Sequence, residues 1–470
     1  VEEKEEKGLY SLPLQKIRSW EESPSRSEGA THQYHFWGGD LKGVTVSLEY
    51  ISELGVNTLY LTPVFWGYSN HKYDCIDYFT IDPSFGNLES FRELCTEAHK
   101  RGMKVIIDGV FNHVGAASRW FNVLGIFNDS GAFQSKESPY SRYFIRQGNG
   151  FRTWANSKTL PELDLDNPEL TDHLFDSENS VVRYWIRQGA DGWRLDCAYD
   201  LGYKNIRKIV DAARGEKPDA LVTGEIWNHP SRWEESGMHG IMNYCYRGLL
   251  LDLVRGDCSG ESAGRVLQQI VETTDQRFLR ASWNMISSHD VPRISTAISD
   301  EQLAELAIAL QYAFPGNPLI YYGEELEMEG GDDPENRGPM RWDYLREPPT
   351  RYFFYKELNR IRSENPAFTR GECSLVHSSK PELLAFKLYT ERIDELVVVV
   401  ANPTQAPVTT TLYLCEPMLM NGTSMRDIRS SVAGTVDTGR LRITVAAKSF
   451  FFLVPAISRY PESYSPYKRV

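Results

Sequence analysis

Apolar positions along the chain recur with two alternating periods. Val44, Leu48 and Ile51 fall at helical spacing up to Gly55, and residues 57–61 then read as a short buried strand. Leu88, Phe91, Cys95 and Ala98 form a second helical stripe that stops at Gly102, followed by a strand over 103–107 ending on Asp108. Val181, Trp185 and Ile186 make a third stripe up to Gly189, before the extended run that ends on Asp196. Further strands are expected at 220–223 (ending near Glu225), 283–286 (leading to His289 and Asp290) and 318–322. Helix, glycine stop, apolar strand and polar loop, repeated in this way, predict alternating β/α architecture with a parallel sheet. Acids collect just past the strand C-termini, where a closed (β/α)8 barrel (a TIM barrel) places its active site. A doubly wound sheet is the alternative, but no Gly-x-Gly-x-x-Gly turn follows the first strand.

The rhythm breaks twice. Residues 113–167 carry aromatics, Gly and Ser with little periodicity, and read as an excursion after the third barrel strand. After an amphipathic helix over 352–363 the texture changes to short β runs at 384–389, 396–400, 409–414 and 450–454, which predict a C-terminal antiparallel β-sandwich domain. The expected organisation is a barrel from 1–112 and 168–366, the excursion over 113–167, and the β domain over 367–470. A first barrel strand has only 8–15 as a poor candidate, and the tail from Ser458 reads as surface.

Composition narrows the possible partners. A net charge of −13 and the lack of a basic run argue against nucleic acid. No stretch reaches the roughly 20 apolar residues of a membrane span. Seven scattered cysteines without a C-x-x-C pair argue against a disulfide scaffold or zinc site and point to a reducing, cytoplasmic compartment. A start at Val1 instead of Met leaves room for a removed signal peptide. The 12% aromatic content, with 11 Trp and 25 Tyr, fits large cores first, with stacking platforms for sugar rings as the second reading.

Three strand-end acids then stand out: Asp196, Glu225 and Asp290. In the run Gly-Trp-Arg-Leu-Asp, alternation puts Arg194 and Asp196 on one face and Trp193 and Leu195 on the other. Glu225 follows Asp196 by 29 positions, about one β/α step, so the two should face the same mouth. Paired carboxylates can divide labour, one as nucleophile and the other as general acid. Arg194 is expected to hold Asp196 ionised. His113 and His289 add donors suited to sugar hydroxyls. Spacing alone leaves ion-paired rim acids as an equal alternative.

The segments Asp-Gly-Val-Phe-Asn-His (108–113), Gly-Trp-Arg-Leu-Asp (192–196), Gly-Glu-Ile-Trp (224–227) and Ser-His-Asp (288–290) resemble, in order, the four signature regions of the α-amylase family of glycoside hydrolases. His-Lys-Tyr-Asp (71–74), Ile-Asp-Pro-Ser-Phe-Gly (81–86), Leu-Pro-Glu-Leu (160–163) and Tyr-Tyr-Gly-Glu-Glu (321–325) extend the likeness from about residue 36 to 368. The forms are most similar to the neopullulanase, cyclomaltodextrinase and maltogenic amylase branch. The resemblance implies a retaining hydrolase of α-1,4 links in maltooligosaccharides, cyclodextrins, pullulan or starch. It makes Asp196 the nucleophile, Glu225 the acid/base and Asp290 the transition-state stabiliser. Tyr73 would stack on the sugar being cleaved, with His71, His113, Arg194 and His289 binding it, Asp333 and Arg337 holding the next sugar, and Trp227 shaping the acceptor side. A 4-α-glucanotransferase on the same site, or an inactive carbohydrate-binding relative, are the alternatives.

The same resemblance implies no cofactor for the chemistry. Structural calcium is open, through Gly38 and Asp40 or through Asn112 and Glu162, with Asp200 where that second site expects His. The branch's N-terminal β domain has no counterpart here, which leaves the oligomeric state open. Asp108 is expected to pair with Arg194 or the His residues, and Cys197 to be a small packing residue.

Overall fold

The computed structural model describes residues 15–457, which fall into two compact units. The first runs to Ile226 and adds Glu235–His239 and Arg337–Pro339; the second holds Trp227–Glu234, Gly240–Asn336 and the residues from Met340.

Four parallel strands form the spine of the first unit: β1 (Thr58–Leu61), β2 (Lys104–Gly109), β3 (Gly192–Leu195) and β4 (Leu221–Ile226), in the order β4-β3-β2-β1. The expected alternation is present. Helix α1 (Leu88–Lys100) buries Phe91, Leu94, Cys95 and Ala98, is capped by the Asn87 side chain, and carries His99 and Lys100 in its last turn, where positive charge suits the helix dipole. Helix α2 (Val181–Arg187) buries Val181, Val182, Trp185 and Ile186. Helix α3 (Ala198–Glu216) follows β3 directly, through Cys197 in the left-handed conformation (φ 45°). Every residue of β3 is buried, so neither of its faces meets water. On one side Trp193 packs against Phe111 and Phe65; the other carries Arg194.

Register sets the functional side chains level. Asp108 of β2 pairs with Arg194 of β3, which pairs in turn with Thr223 of β4. The last paired position is Leu195 with Gly224, so Asp196 and Glu225 come next at a common height. β4 runs three residues further than the sequence pattern predicts and includes Glu225, because the Gly224 position continues the pairing. Close approach of β3 and β4 requires Gly192: a Cβ there would lie 2.0 Å from the Leu221 carbonyl oxygen.

The excursion over 113–167 belongs to this unit. It is built from short turns, a two-residue hairpin and single bridges such as His113 with Glu162, around the ring cluster of Phe121, Phe144 and Phe151. A hairpin of Phe65–Gly67 and Cys75–Ile81, not anticipated from the sequence, brackets the His-Lys-Tyr-Asp segment. Of the first-strand candidate, residues 8–14 lie outside the described residues, as does the tail from Ser458. Lys16–Ile17 pairs with His35–Phe36 in a separate two-stranded sheet.

The second unit contains β5 (Gly240–Asn243), β6 (Trp283–Met285) and β7 (Asn317–Leu319), parallel and in the order β7-β6-β5. Helices α4 (Tyr244–Arg255), α5 (Gly260–Thr273), α6 (Glu301–Ala313) and α7 (Thr350–Glu364) accompany them. Between Glu372 and Pro455 nine antiparallel strands enclose an aliphatic core that includes Val398, Val400, Leu412 and Leu441. Among the described residues no helix is long and apolar enough to cross a membrane.

Gly192→Ala tests the strand contact that sets the site's register. A Cβ driven into a paired backbone is expected to destabilise the protein by more than about 3 kcal/mol. The readout is a sharply lower Tm or loss of soluble protein; an unchanged Tm would show that β3 and β4 can separate without cost.

Candidate active site

Arg194 is the centre of the first unit's polar core. It is fully buried, and its Nη1 reaches both carboxylate oxygens of Asp108 at 3.0 Å and Oδ1 of Asp196 at 3.0 Å. Its Nη2 lies 3.0 Å from Oε2 of Glu225. One planar guanidinium thus serves three carboxylates on three adjacent strands, which its fork of donors permits and a lysine's point charge would not. Tyr60 and Tyr73 donate to Asp108 Oδ2 at 2.6 and 3.1 Å, which fixes that acid from the far side.

Asp196 and Glu225 meet at this centre. A carboxylate oxygen of each and Sγ of Cys197 all lie within 4.8 Å of one another. The Cys197 backbone N–H donates to Glu225 Oε2 at 3.1 Å, and its thiol to Asp196 Oδ2 at 3.3 Å. Cys197 is therefore more than packing: its left-handed backbone aims an N–H at one acid while the thiol meets the other.

The charge balance qualifies one expectation. Three carboxylates against one guanidinium leave a surplus of negative charge in a buried place. Burial raises Asp196 well above the usual carboxylate range; Arg194 pulls it down, while the charges of Glu225 and Asp108 push it further up. Burial raises Asp108 as well, although Arg194 and Tyr60 pull against it. Burial disfavours charge on Arg194 too, but Asp108, followed by Tyr60, Tyr73 and Glu225, more than offsets that, so it stays a cation. Arg194 orients Asp196 and favours its charged form, against burial and two neighbouring acids.

Two imidazoles border the cluster. Burial and the nearby Arg337 push His71 down to about 3, and burial pushes His113 down to about 4, so both are neutral near pH 7. His71 stacks on Tyr73 with centroids 5.9 Å apart. His113 stacks on Trp154 at 5.3 Å, is 1% exposed, and lies against the Tyr73 backbone, which favours its charged form without offsetting burial.

Other expected site residues lie in the second unit. Tyr244 donates to Asp290 Oδ2 at 3.1 Å, and His289 Nε2 lies 3.2 Å from the same oxygen. Trp227 is 55% exposed and stacks on Tyr244, with centroids 3.7 Å apart and planes 14° from parallel. Asp333 is exposed. Tyr60, Trp154 and Tyr244 were not anticipated. Tyr60 alone left a signal, a polar tip within an apolar strand.

Of the residues considered for calcium, two have partners within the protein. Asp40 caps the helix Leu41–Val46 by accepting from Gly43 N at 2.6 Å. Glu162 is ion-paired with Arg152, and Asp200 is exposed. Among the described residues the one cluster of ligand type is Asp196, Cys197 and Glu225, and Arg194 already lies against both of its carboxylates.

Parallel β/α units with acids converging at strand ends define a barrel of the (β/α)8 class. Residues 18–348 match the family model for the α-amylase catalytic domain. Neopullulanase 2 of Thermoactinomyces vulgaris is 36% identical over 379 residues, which are 78% of this chain and 63% of that protein. Cyclomaltodextrinase of Geobacillus thermopakistaniensis is 34% identical over 348 residues, covering 73% of this chain and 58% of its own length. The ligand-free structure of cyclic α-maltosyl-(1→6)-maltose hydrolase from Arthrobacter globiformis aligns at a TM-score of 0.79 and 28% identity, covering 94% of each chain. The chain belongs to the α-amylase family and has its architecture, a (β/α)8 barrel followed by an antiparallel β domain. The matched part spans about three fifths of the two curated relatives' length.

The raised Asp196 has a consequence for stability. Its folded-state value lies above the unfolded one, so its contribution is intact at low pH and is lost as pH rises toward the raised value. Asp196→Asn removes that loss. It is expected to raise Tm at pH 8 by roughly 2–4 °C relative to any change at pH 4, measured by thermal melts of both proteins at both pH values. An equal or larger loss of Tm at pH 8 would show that the Arg194 pairing outweighs burial.

Proposed function

We propose that the chain is a retaining α-glucan hydrolase that cleaves α-1,4-glucosidic bonds, with Asp196 as nucleophile and Glu225 as general acid/base. The observation that carries this reading is the approach of the two carboxylates to within 4.8 Å on a shared guanidinium. Retaining glycosidases need their two carboxyls about 5–5.5 Å apart, whereas inverting ones need about 6.5–9.5 Å to seat a water. The negative surplus around Arg194 favours a proton in the cluster, and a proton is what the departing sugar oxygen must receive. Attack by Asp196 then forms the glycosyl-enzyme, and Glu225, now deprotonated, activates the water that releases it.

The remaining residues are assigned to the sugar. Asp290, oriented by Tyr244 and His289, is the transition-state stabiliser. Tyr73 offers its ring face, and His113 its ring nitrogens, to the ring being cleaved. His71 and Arg337 border the same side, and Asp333 acts with Arg337 on the next sugar. Trp227, exposed and flat on Tyr244, is a platform for the leaving portion. The names of the relatives favour cyclodextrins and pullulan as substrates, alongside starch and maltooligosaccharides, and favour hydrolysis over transfer.

Reducing-sugar release from a cyclodextrin, pullulan and starch tests the assignment. Glu225→Gln is expected to lower kcat by at least about a hundredfold with its Tm close to wild type. Unchanged activity in that variant would end the assignment of Glu225. Products longer than the substrate on chromatography would favour a transferase.

We also propose that the fold requires no calcium, because Arg152 supplies the positive charge beside Glu162. A chelator is expected to leave Tm and activity unchanged, whereas a fall in Tm that added calcium reverses would refute this.

A further inference from the structure

Two of the segments singled out in the sequence, His-Lys-Tyr-Asp (71–74) and Ile-Asp-Pro-Ser-Phe-Gly (81–86), have a residue with no part in the chemistry above: Lys72 and Asp82. They meet each other. Lys72 is 1% exposed, and its Nζ lies 2.7 Å from Asp82 Oδ2 and donates to the Gly67 carbonyl at 2.9 Å. The ammonium sits over the rings of Phe36 and Phe85, 4.9 and 5.6 Å from their centroids. Asp82 is equally well held, accepting from Gly67 N at 3.2 Å and Ser84 N at 2.9 Å.

The backbone at Lys72 is unusual. Its φ is +62°, a left-handed conformation that a residue with a side chain keeps only when its surroundings over-determine it. The Lys72 N–H donates to Ser69 Oγ at 3.1 Å, and Ser69 N donates to the buried Asp74 at 3.0 Å, so the turn is closed on itself. The result is a reversal of side-chain direction: Lys72 points into the protein, while His71 and Tyr73 on either side stack on each other, with Tyr73 donating to Asp108. Gly67, opposite the turn, leaves space for it; a Cβ there would come within 3.2 Å of Lys72 Cα and 3.0 Å of Asp74 Oδ1.

We propose that the Lys72–Asp82 pair is the anchor that places His71 and Tyr73 against the carboxylate cluster, which makes Lys72 a positioning residue for the sugar being cleaved. The kinetic consequence rests on the hydrolase reading; the anchoring itself does not. Losing one partner strands a buried charge, whereas losing both removes the charge and the anchor together. That difference separates positioning from mere stability.

The experiment compares wild type, Lys72→Met, Asp82→Asn and the double variant, by thermal melts, by kinetics on a cyclodextrin, and by hydrogen–deuterium exchange of the peptide over 68–75. Each single variant is expected to lose Tm. The double variant should recover much of it yet keep kcat/KM at least about tenfold below wild type, with the change mainly in KM. Its exchange over 68–75 should be faster than in wild type while the rest of the barrel matches. Recovery of kcat/KM in step with Tm, or wild-type exchange over 68–75 in the double variant, would overturn the proposal. A wild type without activity on any α-glucan would refute the hydrolase reading, and the exchange result would still decide the anchor.

Discussion

Everything at this centre depends on a single buried guanidinium. Arg194 is reached by Asp108, Asp196 and Glu225, one acid from each of β2, the end of β3 and β4. Burial makes each of these contacts electrostatically stronger than it would be in water, and makes each unmatched charge more costly. The three acids therefore cannot move independently. Shifting one changes the field on the other two, and the strand register that sets Asp108, Arg194 and Thr223 level is what keeps the arrangement in place.

The two imidazoles bordering the cluster add no positive charge of their own. His71 and His113 are neutral, so the negative surplus is left for a proton, and later for a positively charged oxocarbenium-like sugar, to answer. Tyr60 and Tyr73 settle Asp108 by hydroxyl donation, without an ion. Asp108 is thereby directed toward holding Arg194 and has no side-chain exposure, while Asp196 and Glu225 keep 9% and 11%. The proposed division into one structural acid and two reactive ones rests on which acid has its far side closed by hydroxyls.

Much of this was legible in the sequence, and the failures have physical causes. Glycine stops and apolar stripes located β1 to β4, α1 and α2 because the central strands β2 and β3 are buried on both faces and the helices carry one clear stripe. The alternation of Arg194 with Trp193 was readable because period two is rigid in a strand. β5 was missed: four residues reading Gly-Ile-Met-Asn carry neither alternation nor β-branched density. With it went Tyr244, which lies just past that strand and supports both Trp227 and Asp290. Arg194 does pull Asp196 toward its charged form, as expected, but burial and two further acids oppose it. Sequence shows which charges can be neighbours, but not how many acids share one base or how dry the place is.

Two of the buried ion networks of the first unit make that last distinction general. Lys72 and Asp82 are matched one to one, and the surrounding backbone groups accept and donate further bonds; such a pair acts as a fastener. Arg194 is matched one to three, so its cluster has affinity left over for a proton or a developing positive charge. Both lie in the same fold, close to the same His-Lys-Tyr-Asp turn, and residue type alone would not separate them. The stoichiometry of buried charge does: balance makes an anchor, and a surplus of acid makes a reactive centre.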